Sequence, residues 1–501
     1  MSTPVLHRTR PEPPRTAPDP EPGRPAWARP RVVVGAVLLV LLLLRLLTLP
    51  VGTGPGDLTT DGRATLVVFA VAVAAWAFTP VDDTYVALGA GTALVLLGVM
   101  PTERFFATLG DDVVWLLVAA CVIAVAVTAS GLAQRASAWL VSGAGSPRQL
   151  VHLVTAALVI TAFAVPSTSG RAALALPVFL ALRGVLKDAH PRLVRVLALV
   201  FPTVILLSAV GSLIGAGAHL VTSMIVESAV GTGFDFSRWL LLGLPLALVS
   251  SHLAAELVLW LFSRREDRRR PLHVRVADLE ERPGQLSGAL SVAEGRAALL
   301  LVVTVVLWCT EDLHGVHPAI IALGAALVVT SPRYGVVRLK DALPQVPWSL
   351  LLFMAATLAL GNALLDSGAA RYLADGLFGV LGVRTAGPFV VVVVLVSTAA
   401  HLLIQSRSAR SAVIVPIVVA LAPGVGADVA AVAFASTAAA GFCHTLPASA
   451  KPVAMFARID GVETYSAADL RRLSLWLAPL HVALVLLFAF FVWPHLGLPL
   501  T

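Results

Sequence analysis

Charged residues are scarce in this sequence. Lys, Arg, Asp and Glu make up 13% of its 501 residues, 58% of the residues are hydrophobic, and the mean hydropathy is +0.88. A soluble globular protein carries roughly 25% charged residues, so this composition excludes a water-soluble globule. Apolar runs of about 20 residues, each long enough to cross a ~30 Å hydrocarbon core, recur along the chain. The sequence therefore predicts an all-α polytopic membrane protein.

Cysteine pairs and catalytic motifs are missing as well. The three cysteines, Cys121, Cys309 and Cys443, lie in apolar segments without paired spacing, so neither a disulfide framework nor a zinc site is indicated. The sequence has no H-E-x-x-H motif and no Walker A loop, and thus no sign of metalloprotease chemistry or ATP hydrolysis. We therefore expect a protein that is not an enzyme and holds no metal or cofactor. The net charge of +7 comes from arginines in the loops, where it orients a membrane protein rather than binding nucleic acid.

Apolar runs and polar breaks divide the chain into two similar halves. About eleven transmembrane helices and two re-entrant hairpins are predicted, with the hairpins at 148–186 and 385–421. Two further spans are interrupted, near 211–219 and 446–452. The predicted chain begins with a disordered, Pro- and Arg-rich cytoplasmic tail at 1–31, followed by a first helix and loop at 32–63. A first repeat follows at 64–262, with its hairpin tip at 167–169. A charged cytoplasmic linker at 263–295 then leads to a second repeat at 296–501, with its hairpin tip at 406–408.

The same polar pattern occurs once in each half. Residues 165–177 read VPSTSGRAALALP and residues 404–416 read IQSRSARSAVIVP. Identical residues coincide at a constant offset of 239 positions (406 minus 167): Ser167/Ser406, Ser169/Ser408, Arg171/Arg410, Ala173/Ala412 and Pro177/Pro416. Each half contains an odd number of predicted spans, and the Arg-rich loops then all lie on the cytoplasmic side together with the N-terminus. The sequence therefore predicts two repeats of inverted topology, as in many secondary transporters.

The four breaks indicate an anion site. Non-helical backbone is tolerated at membrane depth only where protein or a water-filled cavity surrounds it. In inverted-repeat carriers such breaks meet near the midplane, where helix N-termini offer free N–H groups to an anion. Ser167, Ser169, Ser406 and Ser408 suit this site as direct hydroxyl donors, or they only cap the helices that follow.

Four cations lie near these breaks. Arg171 and Arg410 follow the hairpin tips in the first turn of each returning helix, where a cation opposes the helix dipole. Each needs a compensating anion, either a substrate or a structural acid. Arg407 lies at the second tip, and Lys451, one of only three lysines, lies in the second interrupted span. We therefore predict a positively charged site that binds a small anion.

The order of hairpin tip, interrupted span and FDFSRWLLLGLPLAL (234–248) resembles the divalent anion:sodium symporter family, within the larger ion-transporter superfamily. That family carries a Ser-Asn-Thr motif at each tip, with a proline ten residues past the serine. The tips here are Ser167-Thr168-Ser169 with Pro177 and Ser406-Arg407-Ser408 with Pro416. The family's interrupted spans read roughly Gly-Thr-x-Pro-Asn and Leu-Pro-x-x-Thr-Pro-Pro-Asn, and the corresponding stretches here are GAGAH (215–219) and LPASAKPV (446–453). The resemblance covers the chain from about residue 64 to the C-terminus.

The resemblance implies a homodimer in the plasma membrane that carries a dicarboxylate, citrate or sulfate by an elevator motion. By the resemblance, the tip residues contact the substrate, namely Ser167, Thr168, Ser169, Ser406, Arg407 and Ser408, and Gly215, Gly217 and Pro452 line the site. The charge argument adds Arg171, Arg410 and Lys451 to the substrate-binding set, either in contact with the substrate or in structural ion pairs. His219 joins Gly215 and Gly217 in the loop or cation-site set because it lies at the first interrupted span.

Departures from the family pattern bear on the coupling ion. The family's tip asparagines, which help to build two sodium sites, are Thr168 and Arg407 here, and its loop asparagines are His219 and Val453. We expect Arg407 and Lys451 to replace at least one sodium ion, which leaves a proton, anion exchange or fewer sodium ions as the coupling arrangement. Three rival classes remain open, namely a membrane-embedded enzyme, a channel, and a family member that binds anions without transporting them.

Overall fold

The computed structural model of the chain describes residues 30–52, 57–280, 286–373, 376, 384–459 and 462–501. Its α-helices are, in chain order, α1 Pro30–Leu47, α2 Thr60–Phe78, α3 Asp83–Leu96, α4 Thr102–Ala107, α5 Asp112–Ser130, α6 Leu132–Val141, α7 Pro147–Ala164, α8 Thr168–Leu186, α9 Pro191–Leu207, α10 Gly217–Val230, α11 Phe236–Phe262, α12 Arg265–Arg269, α13 Val292–Cys309, α14 Glu311–His314, α15 Pro318–Val329, α16 Leu339–Ala342, α17 Trp348–Asp366, α18 Ala386–Ala399, α19 Arg407–Leu421, α20 Val429–Ala439, α21 Lys451–Ala457 and α22 Ala467–Leu487. The prediction of a nearly all-helical chain is confirmed.

Ten of the helices in the described ranges are long and apolar enough to cross a membrane. Two others are shorter than predicted, because α3 has 14 residues and α15 has 12. At 1.5 Å per residue they extend about 21 and 18 Å, less than the ~30 Å hydrocarbon core. These two helices are therefore shorter than the full spans assumed in the prediction of about eleven transmembrane helices.

Side-chain caps explain where several helices begin. An N-terminal helix turn has N–H groups without partners, which is costly in an apolar surrounding. Asp111 Oδ1 accepts from the Val113 N–H at 3.0 Å before α5, and Asp428 Oδ1 accepts from the Ala431 N–H at 2.7 Å before α20. At the other end of α5, Gly131 adopts φ +81°, a left-handed conformation that ends the helix.

Both predicted hairpin breaks are present. Residues 165–167 separate α7 from α8. A 3₁₀ turn at Ala400–Leu402 and an irregular segment at 403–406 separate α18 from α19. The helices α7 and α8 have 18 and 19 residues, so by length alone each is able to cross a membrane. Whether the hairpins return to the side from which they entered stays a prediction.

The interrupted spans are confirmed with one change of position. The first breaks between α9 and α10, at 208–216, close to the predicted 211–219. The second breaks at 440–450, earlier than the predicted 446–452. Its second helix, α21, has only seven residues and runs into a two-stranded antiparallel pair, Arg458–Ile459 with Val462–Glu463, so the helical part of this span ends at Ala457.

The two halves pack on each other reciprocally. In the outer part, α3 of the first half packs on α17 of the second, and α15 of the second half packs on α5 of the first. Near the breaks, α10 packs on α19, and α21 packs on α8. Two equivalent units related by a two-fold rotation make such paired contacts. This packing supports the predicted repeats, while their opposite direction across the membrane stays a prediction.

Some predicted segments lie outside the described residues. Residues 1–29 of the predicted tail, 281–285 of the predicted linker, and 374–375 and 377–383 of the predicted second repeat belong to this group.

Candidate functional site

The first hairpin tip is held by a serine cap. Ser167 is the N-cap of α8, and its Oγ accepts from the Gly170 N–H at 3.3 Å. This arrangement satisfies one N–H of the first turn and leaves the hydroxyl proton free to donate elsewhere. Thr168 and Ser169 follow in the first turn of α8, and all three tip residues are partly exposed. The tip therefore borders accessible space.

Arg171, one turn past this tip, is fully buried and extensively hydrogen-bonded. Its Nε donates to Thr161 Oγ1 at 3.0 Å and its Nη1 to the Ile205 carbonyl at 2.9 Å. Its Nη2 donates to the Leu158 carbonyl and to Ser208 Oγ, both at 2.6 Å. These bonds use four of its five N–H groups. The sequence left two possible partners for the Arg171 guanidinium, a substrate and a structural acid. The structure shows hydroxyl groups and helix carbonyls in their place.

The second tip repeats the cap. Ser406 is the N-cap of α19, with its Oγ 3.3 Å from the Ala409 nitrogen that donates to it. At the tip itself, Ser408 lies against the first interrupted span, since a Cβ added to Gly217 would be 3.1 Å from Ser408 Oγ. The predicted meeting of the second tip with the 215–219 loop is therefore present in the structure.

The two arginines of the second tip differ from Arg171. Arg407 donates from Nη1 to the Leu206 carbonyl at 3.3 Å, and Arg410 donates from Nη1 to the Phe442 carbonyl at 3.3 Å. The Nε and Nη2 atoms of both side chains are buried without a hydrogen-bond partner. Among the described residues no carboxylate forms an ion pair with either guanidinium. Four cationic donors therefore point into the interior with unused hydrogen-bonding capacity.

Glycines permit the close packing around this cluster. A Cβ on Gly441, in the second break, would lie 2.8 Å from Arg407 Nη2 and 2.9 Å from the Ala438 carbonyl. A Cβ on Gly215, in the first break, would lie 2.2 Å from the Ala209 carbonyl. Both contacts are closer than real Cβ contacts, so only glycine fits at these two positions.

Histidines surround the arginines. His219 is fully buried, donates from Nδ1 to the Ser212 carbonyl at 2.9 Å, and stacks on Trp239 with ring centroids 4.9 Å apart. His444 and His481 are also buried, and all three rings lie within electrostatic range of Arg407. Three buried imidazole rings therefore lie around the arginines of the second tip.

Lys451 differs from its predicted placement. The sequence predicts it in the interior with Arg407, but it is the first residue of α21 and its side chain is exposed. Pro452, beside it, is buried, and its place in the site stays a prediction. Lys451 and Ser406 both lie within electrostatic range of the Asp83 carboxylate.

Asp83 and Gly441 were missed by sequence reasoning. Asp83 lies in the first turn of α3, where an acid is an ordinary helix-start residue, so its position gave no sign of a contact with the second tip. Gly441 belongs to GFCHT (441–445), whose break in the helix was not recognised because the Leu-Pro signal lies further along. The sharp end of an Ala-rich helix at a glycine was the available signal.

Comparisons with known proteins agree with this architecture. Residues 31–498 match the family model described as the sodium:sulfate symporter transmembrane region. A protein of Cupriavidus necator described as "Membrane protein" is 24% identical over 489 residues, covering 92% of this chain and 93% of that protein. The sodium-dependent dicarboxylate transporter SdcS of Staphylococcus saprophyticus is 22% identical over 505 residues, covering 94% and 92%. The solved structure of the YdaH transporter of Alcanivorax borkumensis shares the fold with a TM-score of 0.56 at 16% identity, covering 93% of this chain and 98% of that chain.

Proposed function

Because this chain belongs to the sodium:sulfate symporter transmembrane family, a family of transporters and not of enzymes, we propose that it is a secondary active transporter of small divalent or trivalent anions in the plasma membrane. The substrate class is a dicarboxylate, citrate or sulfate. The description of the family and the name of the relative SdcS support an anion of this kind and sodium as the coupling ion.

The observation that carries the proposal is the set of unused donors at the second tip. The buried Nε and Nη2 atoms of Arg407 and Arg410 lack partners, and a buried charge without a partner is costly. A carboxylate or sulfate accepts several hydrogen bonds from guanidinium groups. Ser406 and Ser408 lie beside them with hydroxyl groups. We propose that the anion binds here, and that Arg171 instead fixes the position of the first tip through its four protein partners.

Charge balance explains how such a site moves across the membrane. A divalent anion between Arg407 and Arg410 cancels their two positive charges, so these two side chains and the anion form a neutral cluster, while Arg171 keeps its own helix-carbonyl partners. Moving a neutral cluster through a low-dielectric region costs far less than moving a net charge. We propose an elevator motion in which the helices next to the tips (α8, α10, α19 and α21) move against the frame helices (α3, α5, α15 and α17). The reciprocal packing within each of these sets supports that division.

Uptake of radiolabelled anion into proteoliposomes tests the proposal. We expect accumulation of succinate, citrate or sulfate when a sodium gradient is imposed, and loss of accumulation when the gradient is collapsed. Electrical currents far above carrier rates would identify a channel instead. A chemically altered anion, detected by mass spectrometry, would identify an enzyme. Ligand-dependent thermal stabilisation without any uptake would identify a binding protein.

A second candidate function is anion exchange, which is favoured because no carboxylate among the described residues is ion-paired with Arg407 or Arg410. An empty site that keeps two positive charges returns slowly, whereas a site loaded with a second anion returns as a neutral cluster. Proteoliposomes preloaded with the same anion, in sodium-free buffer, then take up label faster than empty ones. A strict need for two or more sodium ions per turnover would contradict exchange and the replacement of sodium by Arg407.

We also propose that the protein is a homodimer. The resemblance of its two repeats to the divalent anion:sodium symporter family supports this. Mass photometry of the purified protein in nanodiscs tests it, and a monomer mass at all concentrations would contradict it.

A further inference from the structure

A cavity outside the proposed transport site lies where α7 and α9 begin and α11 ends. Its volume is about 210 Å³. Its lining includes the apolar residues Leu193 and Leu259. The lining also includes Arg268 and Arg270, from the start of the charged segment after α11. The cavity therefore joins an apolar helix surface to a basic segment.

The charges lining this cavity do not balance. Arg192, Arg268 and Arg270 face one acid, Asp267, so three positive charges minus one negative charge leave two. Asp267 is already engaged, because its Oδ2 accepts from Arg192 Nη1 at 3.0 Å and from the Arg264 N–H at 3.1 Å. The cavity therefore has a net positive charge of about two, and an anion would compensate it.

Hydrogen-bond donors in the cavity are also unused. The Nε atom of Arg268 is buried without a partner, and Arg270 uses Nη1 for the Ala189 carbonyl at 3.3 Å. The 17-residue helix α9 begins here, and no side chain caps its N-terminus. Burial and the Arg270 charge lower the pKa of His190, so this ring adds a neutral polar group. Uncapped helix N–H groups, a positive dipole end and guanidinium donors are the chemistry that binds phosphate.

We propose that this cavity binds the phosphate group of an anionic ester, supplied either by a phospholipid headgroup or by free phosphate. Basic pockets beside transmembrane helices on the cytoplasmic side bind anionic headgroups, and the apolar lining residues suit an attached acyl chain. The site lies at the start of α9, while the end of α9 receives the hydrogen bonds of Arg171 and Arg407. A phosphate group bound here would therefore brace the helix on which the two hairpin tips meet.

Thermal unfolding of the purified full-length protein in a neutral detergent tests the proposal. The probes are short-chain phosphatidylglycerol, inorganic phosphate, and the matching diacylglycerol without phosphate. The double variant Arg268→Ala/Arg270→Ala removes two cavity arginines. The double variant Arg265→Ala/Arg269→Ala removes the same charge from exposed neighbours that do not line the cavity. We expect the apparent affinity for the phosphate-bearing probe to fall roughly tenfold or more in the first variant and to stay within about twofold in the second.

Each outcome decides the matter. A shift with phosphatidylglycerol but not with inorganic phosphate supports the site and identifies a lipid headgroup, whereas a shift with both supports a site open to free phosphate. Equal losses in both double variants, or no shift with any phosphate probe, overturn it. If the thermal shift with a phosphate probe instead disappears in Arg407→Met and persists in Arg268→Ala/Arg270→Ala, the phosphate lies in the transport site. That result would also overturn the proposed cavity site. If the cavity variant proves too unstable to purify, Arg268→Gln gives the same comparison with a smaller change.

Discussion

Arg171 and Arg407 donate hydrogen bonds to adjacent carbonyls, those of Ile205 and Leu206, at the C-terminal end of α9. One arginine comes from the first hairpin and the other from the second, so both tips are fastened to the same break in the first interrupted span. The end of a helix carries a partial negative charge and carbonyls without helical partners. The chain therefore uses a helix C-terminus, rather than an acidic side chain, to stabilise two buried cations.

The first prediction concerns the structural arginine. Arg171→Met removes four hydrogen bonds and leaves buried acceptors on Thr161, Ser208 and two carbonyls. We expect the free energy of unfolding to fall by about 2–4 kcal/mol. Thermal unfolding in detergent measures this loss. Arg171→Lys, which keeps the charge and some donors, should recover part of it, and an unchanged midpoint in Arg171→Met would contradict the structural role.

The second prediction contrasts Arg407 with Arg171. Arg407→Met removes a buried guanidinium whose Nε and Nη2 lack partners, so stability should stay the same or rise. Anion affinity should fall roughly 100-fold, because about two charged hydrogen bonds are lost. Ligand-dependent thermal shifts with succinate, citrate and sulfate measure both quantities. Retained affinity together with reduced stability would assign Arg407 to the structure instead of the substrate.

The third prediction uses a glycine contact. Gly441→Ala places a Cβ 2.8 Å from Arg407 Nη2 and 2.9 Å from the Ala438 carbonyl, so the guanidinium must move. We expect roughly tenfold weaker anion binding, measured by the same thermal shifts. Gly184→Ala in α8, where a Cβ meets nothing within 4 Å, is the matched control and should leave binding unchanged. Equal effects of the two changes would mean that the position of Arg407 is unimportant.

The fourth prediction concerns the junction between the halves. Arg135 in α6 pairs with Glu294 in α13, Nε to Oε1 at 2.6 Å, and its Nη1 donates to the Leu286 and Gly288 carbonyls at 2.7 and 2.8 Å. The Glu294 side chain is only 6% exposed. Arg135→Ala leaves that charge buried without its arginine, and we expect a loss of about 3 kcal/mol in the free energy of unfolding.

The control for that change is an exposed ion pair. Arg338 and Asp341 lie 2.6 Å apart with side chains 73% and 44% exposed. Arg338→Ala should change the free energy of unfolding by less than about 1 kcal/mol. If thermal unfolding shows similar shifts for Arg135→Ala and Arg338→Ala, the junction does not depend on the buried pair.

Much of the fold could be predicted from residues that are close together in the sequence. The apolar runs, the PSTSG and QSRSA breaks and the charged linker each depend on residues close in sequence, and the helices begin within a few residues of the expected positions. The short helix α3 was overestimated because the turn residues 97–100 that follow it, LGVM, are also apolar. The second break was misplaced because Leu446 and Pro447 gave a stronger signal than Gly441.

The candidate site could be predicted only in part from the sequence. The repeated Ser-x-Ser tips and the arginines after them were found because a duplicated polar pattern in an apolar chain is rare. The different environments of Arg171 and Arg410 were not, since their local sequences are nearly equivalent and their partners lie 10 to 37 residues away along the chain.

The sequence by itself determined that this chain is a helical membrane protein of two similar halves with a cationic tip in each. Hydropathy and helix breaks depend on residues that are adjacent in the sequence, so the sequence alone reveals them. Only the tertiary structure decided that Arg171 is saturated by hydroxyls and carbonyls while Arg407 and Arg410 keep free donors. A buried charge is defined by the groups that surround it in space, and those groups come from helices that the sequence separates.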